Sequence, residues 1–152
     1  MGKIIKITKT IYGKIDWVKI KSILSSFLGK VICIKENNAK IKIDRKFIKE
    51  FVGSKYTINS NKKIRNVKAN IAIHLREIIE NSGHIKFEKN KKKKHINDAF
   101  MGFEKYKCRF IIEDMESGIK NEYTAIIVVR CPNYNEKYIY DIVEIKKASH
   151  PQ

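Results

Sequence analysis

Four lysines, Lys91, Lys92, Lys93 and Lys94, run directly into His95, and Lys89 stands two positions before them. Like charges this close repel one another unless water or phosphate lies between them, so the run is either a solvated loop or a collector of polyanion. An imidazole beside fixed positive charge has its cationic form disfavoured, which keeps His95 available as a base. Arg109 and Arg130 stand in otherwise apolar runs, CRFII and VVRC. A guanidinium aimed from a sheet face binds phosphate through two parallel hydrogen bonds; the alternative is a strand arginine facing solvent. In IYDIVEIKK, Tyr140 and Asp141 put a phenol and a carboxylate on opposite faces of one strand. Of the other histidines, His74 lies among the apolar residues of a helix, His84 follows a helix stop where it can cap carbonyls, and His150 is in the tail.

The sequence has no HExxH, no DxD and no pair of histidines at helical spacing, and its acids are scattered. Two-metal phosphodiester cleavage is therefore disfavoured, and neither a metal nor another cofactor is expected. What remains is the chemistry of a metal-free ribonuclease. A base takes the 2′-OH proton, an acid protonates the leaving 5′ oxygen, and a cation stabilises the crowded phosphorane. Cys33, Cys108 and Cys131 are odd in number and share no CxxC spacing, so reduced thiols are expected instead of a disulfide framework or a zinc site.

Lysine and arginine number 33 against 16 acids, a formal charge of +17 on 152 residues. Such an excess repels itself in the compact state, and nucleic acid or an anionic membrane would neutralise it. An AT-rich genome writing lysine wherever the surface tolerates it gives the same composition. The apolar runs fall short of the roughly 20 residues that span a bilayer. The start, MGKIIKITKTIYGK, has no continuous apolar signal core, so no membrane insertion and a cytoplasmic site of action are expected. Delivery within a larger secreted or phage-borne chain is compatible with the same features.

The elements that must position these residues follow from periodicity. Asp16 opens a helix carrying Ile20, Ile23, Leu24, Phe27 and Leu28, stopped at Gly29. VICI (31–34) and KIKI (40–43) form a hairpin across ENNA, and Asp44 caps a short helix ending at Gly53. A long helix carries Ile64, Val67, Ile71, Leu75, Ile78 and Ile79 on one side and stops at Ser82-Gly83. Strands then follow over 85–88, 103–112, 123–131 and 138–145, with TAIIVV apolar on both faces as in a central strand. The spacing predicts an α+β fold, N-terminal helices followed by a four-stranded antiparallel sheet resting on the long helix. At 152 residues the chain is expected to form one domain around a single core.

Six short motifs in order, SKYT (54–57), KAN (68–70), the KH and DA of KHINDA (94–99), YKCRF (106–110), VVR (128–130) and YDIVEIKK (140–147), resemble a module of large polyvalent proteins and polymorphic toxins of Gram-positive phages and conjugative elements. That family is grouped near the nucleases whose fold unites barnase, EndoU, the tRNA-cleaving colicins and RelE. The resemblance covers about residues 54–147, which it implies are the nuclease-like domain, leaving 1–53 as a helical and hairpin accessory segment and 148–152 as a tail. It implies a metal-independent endoribonuclease toxin acting on tRNA or another structured RNA, with an acidic immunity protein as partner. The matching polar positions are Lys55, Tyr56, Lys68, His95, Asp98, Arg109, Arg130, Tyr140 and Lys146. They imply His95 as base or acid, Arg109 and Arg130 as clamps on the phosphate, and Tyr56 or Tyr140 as orienting or acidic partner. RNA binding falls to Lys55, Lys68, Lys91 to Lys94 and Lys146. The second histidine of an EndoU-like pair has no counterpart, which leaves the general acid open. Two other readings stand beside this one: a basic module that grips nucleic acid or inhibits a host enzyme without catalysis, and a structural domain within a larger chain.

Overall fold

The computed structural model describes residues 2–53, 61–90 and 99–148. Strand β1 (Ile4–Thr8) is followed by helix α1 (Trp17–Ser25), the pair β2 (Val31–Cys33) and β3 (Lys40–Lys42), and helix α2 (Arg45–Gly53). Helices α3 (Lys62–Ile73) and α4 (Leu75–Glu80) lead into β4 (Gly83–Glu88), β5 (Gly102–Glu113), β6 (Lys120–Cys131) and β7 (Tyr138–Lys147).

The helix starts are set by side chains that take up free backbone N–H groups. Asp16 accepts from the N–H groups of Val18 and Lys19 at 3.1 and 3.2 Å, Asp44 from Phe47 at 3.1 Å, and Asn61 from Ile64 at 2.9 Å. The single long helix expected over residues 64–79 is two. His74 (φ −108°, ψ 27°) leaves helical geometry between α3 and α4, and a ring nitrogen lies 3.2 Å from the Thr8 carbonyl oxygen at the end of β1.

The expectation of helices followed by a four-stranded antiparallel sheet is overturned. The described strands form one mixed seven-stranded sheet, curled into a half-barrel, in the order β1-β5-β6-β7-β3-β2, with β4 also on β5. The meander of β4 to β7 is present and antiparallel. Alone it would expose rows of unpaired backbone groups along its flanks. β4 covers the first half of one flank of β5 (Gly83↔Lys107 to Glu88↔Phe103), and β1 continues along the second half in parallel (Ile4↔Arg109 to Thr8↔Glu113). On the far side β3 joins β7 in parallel at Lys42↔Tyr138, bringing β2 with it.

Side-chain alternation separates two faces. Glu104, Tyr106, Cys108, Phe110 and Ile112 of β5 are buried and stand opposite Val129, Ile127, Ala125, Tyr123 and Asn121 of β6. Apart from the charged Glu104, the β5 residues join Val129, Ile127, Ala125, Ile139, Ile142, Phe47, Phe51, Ile71 and Leu75 in one hydrophobic core, with Tyr123 packed against it. The other face, called outer below, carries Phe103, Lys105, Lys107 and Arg109, with Thr124, Ile126 and Val128 from β6 half-buried among them. TAIIVV is thus fully buried on one side only. No described helix is long and apolar enough to cross a membrane.

Candidate nucleic-acid interface

On the outer face, strand register sets Arg109, Thr124 and Lys146 side by side across β5, β6 and β7. Two strand spacings separate Arg109 from Lys146, roughly 10 Å between backbones. Both side chains are exposed, as is Lys107, two positions along the same face of β5. Arg109 has an acid in reach, Glu122 at 3.5 Å; Lys107 and Lys146 make no ion pair with a described residue. At the opposite end of the face, the half-buried rings of Phe103 and Tyr140 meet at 5.9 Å and 64°. Lys105 lies between the ends, shared with Glu88 at 3.4 Å.

Asn90 and Ala99, the described residues on either side of the lysine segment, are tied together next to the start of β5. Asn90 donates to the Ala99 carbonyl at 3.1 Å, Gly102 N–H to the same carbonyl at 3.1 Å, and Met101 N–H to Cys131 at 2.9 Å. Gly102 has φ +132°, and a Cβ there would overlap the Glu88 carbonyl, so glycine is what lets β5 begin against β4. Lys91, Lys92, Lys93, Lys94 and His95 lie outside the described residues, as do Lys55 and Tyr56.

The two arginines do not converge. Arg130 pairs with Phe103 and Arg109 with Thr124, six residues further along β5, a separation of about 20 Å at 3.3 Å per residue. Arg130 is 3% exposed; its guanidinium lies 4.5 Å from the centre of the Tyr138 ring and forms a close ion pair with Asp44. It ties β6 to the start of α2, and no single phosphate can lie under both guanidinium groups. The Tyr138 hydroxyl donates to Glu136 at 2.6 Å, and Glu136 also accepts from Asn133 and Lys42 at 3.1 and 3.3 Å. These bonds, that from Tyr138 foremost, hold the Glu136 carboxyl down at about 2.

Lys68, expected to contact RNA, is fully buried. Its ammonium lies 3.1 Å from Asp141 and 4.6 Å from the centre of the Phe51 ring. Burial lowers the pKa of Lys68 and raises that of Asp141, and each charge opposes the shift of the other. Two motif residues far apart in the chain thus form one internal ion pair.

A second polar group, missed by the sequence reading, gathers around Glu104. One carboxylate oxygen meets His84 Nε2 at 2.9 Å and accepts from the Tyr106 hydroxyl at 3.3 Å; the other takes a close ion pair from Lys137 and lies 3.7 Å from the Cys131 thiol. Asn37 donates to the Tyr106 hydroxyl at 3.0 Å. Burial pushes the Tyr106 phenol up to about 12 and the Cys131 thiol up to about 11, so both are protonated at neutral pH. The signal lay in the alternation of EKYKCRF, where Glu104 shares the face of Tyr106, Cys108 and Phe110 and so had to be buried with partners. His84, read as a helix cap, instead supports this carboxylate. The described residues contain no group of three His, Cys, Asp or Glu placed to hold a metal.

Comparison with family models, with curated proteins and with solved structures returns no match for this chain.

Proposed function

We propose that the chain binds single-stranded segments of RNA across the outer face of its sheet. The observation that carries this reading is the shared face on which the exposed cations Lys107, Arg109 and Lys146 lead along the strands to the Phe103–Tyr140 pair. Backbone phosphates meet the cations, and unpaired bases stack on the aromatic end, the combination by which sheet surfaces hold single strands. The distance of about 20 Å between the two ends suits a site of several nucleotides.

Fluorescence anisotropy with a labelled 12-nucleotide RNA over a salt series tests it. Charge reversal at Lys107 and Lys146 lowers affinity at least tenfold and flattens the slope of log K against log salt, by about 0.7 for each phosphate no longer neutralised. Unchanged affinity and slope refute it.

Metal-independent cleavage of that RNA is a second reading. It rests on the resemblance of residues 54–147 and on the bond that ties Asn90 to Ala99, on either side of the lysine segment, next to the start of β5 and its Phe103. In it His95 is base or acid and Tyr140 its partner, while Arg130 and Lys68 serve the fold. Incubation of total tRNA in EDTA with wild type and His95→Ala tests it: discrete fragments with cyclic phosphate ends from the wild type alone support cleavage, and intact tRNA leaves the binding reading by itself.

A further inference from the structure

Helices α1 and α2 leave a groove of about 550 Å³ between them, lined by Lys21, Ser25, Leu28, Arg45, Ile48, Lys49, Val52 and Gly53. Its floor is hydrocarbon: Leu28, Ile48, Val52 and the stems of the long basic side chains. Its charged lining groups are all cationic. Lys21, Arg45 and Lys49 are exposed, and none makes an ion pair with a described residue. The acids of the same region are committed or placed elsewhere. Asp16 caps α1, Asp44 holds Arg130, and Glu50 does not line the groove. The Ser25 hydroxyl donates to the Lys21 carbonyl at 2.8 Å, so it is turned back on its own helix.

An apolar trough with three unpartnered cations along its rim complements one kind of ligand. A free phosphate or a nucleic-acid backbone would satisfy the cations and leave the floor wet. Among the described residues the lining also has no aromatic ring on which a base could stack. An amphipathic helix uses both parts, laying side chains at i, i+4 and i+7 on the floor and carboxylates against the rim. The volume admits a few large aliphatic side chains, in the range of ordinary binding clefts. We infer that this groove docks an acidic amphipathic helix of a protein partner, on a surface distinct from the outer face of the sheet.

The test uses the full chain and two fluorescein-labelled peptides of 16 residues. One has leucines at helical i, i+4, i+7 and i+11 spacing among glutamates and alanines; the other has the same composition in scrambled order. At ~150 mM salt, where exposed charges are screened beyond about 8 Å, the amphipathic peptide binds at least tenfold tighter than the scrambled one. Lys49→Glu combined with Arg45→Glu weakens it at least tenfold with an unchanged melting temperature, and reversal of Lys107 and Lys146 leaves it unaffected. Equal binding of both peptides reduces the groove to bulk charge attraction and overturns the inference. So does binding insensitive to the pair of reversals, or competition by the 12-nucleotide RNA at a concentration matching its own affinity.

Discussion

Removing either member of the Lys68–Asp141 pair strands a charge in the interior. The ammonium and carboxylate lie 3.1 Å apart with side-chain exposures of 0% and 3%, so water cannot reach whichever is left. Breaking such a pair from one side costs about 3–5 kcal/mol, whereas replacing both members with apolar groups of similar volume is often close to neutral. For a chain of this length 1 kcal/mol moves the melting temperature by about 2–4 °C, so Lys68→Met or Asp141→Leu alone should lower it by roughly 6–20 °C. The double variant should recover most of that loss, giving a coupling energy of at least about 2 kcal/mol in a double-mutant cycle. Urea unfolding followed by far-UV circular dichroism measures it, with affinity for the 12-nucleotide RNA as a second readout. Single losses below about 1 kcal/mol, or a double variant as unstable as the sum of the two, would refute the account of a dry internal pair. Any folded variant at Lys68 should keep its RNA affinity, and a selective loss of binding would put its ammonium back on the surface.

Thiol chemistry should report the burial pattern: iodoacetamide under native conditions labels exposed Cys33, while Cys108 and Cys131, pushed up to about 12 and about 11, react only after unfolding. Mass spectrometry of the labelled chain decides this, and equal labelling of all three contradicts it. Acid stability should depend on Glu136, whose carboxyl is held down at about 2 by the folded state. A depressed carboxylate contributes stability that is present above its unfolded pKa near 4.3 and is lost as pH falls toward about 2. Glu136→Gln therefore loses less on acidification through that window, read from urea midpoints, and parallel wild-type and variant curves argue against it. Gly102→Ala forces a side chain into φ +132° and against the Glu88 carbonyl, so it costs at least about 1–3 kcal/mol in thermal unfolding. A neutral effect would mean that β4 and β5 are not held as described.

Elements with a local signal were legible in the sequence. Asp16, Asp44 and the long β5, β6 and β7 runs carry caps or alternation within a few residues of one another, and they fold as expected. What joins distant segments was not. β1 is five residues, IIKIT, and neither its parallel pairing with Arg109–Glu113 nor that of the β2–β3 hairpin with β7 leaves a mark near either segment, so a four-stranded sheet was expected where the described residues form seven strands. Arg130 and Lys68 were read as surface cations because their acids, Asp44 and Asp141, are remote in sequence and become partners only in three dimensions. Arg109 and Lys146, by contrast, lie where alternation puts them, on an exposed row of one face.

The junction of β1 with β5 has a consequence for the life of the chain. Ile4 and Arg109 meet across more than 100 residues of sequence, so a ribosome must deliver that whole stretch before β1 finds its berth. Until then Ile7, which belongs to the interior, and Ile5, packed against it, travel uncovered, and a chain that has lost β1 would present the bare margin of Arg109–Glu113 to any passing strand. Loss of β1 is therefore expected to produce fibrous or clumped material before it produces a smaller working protein.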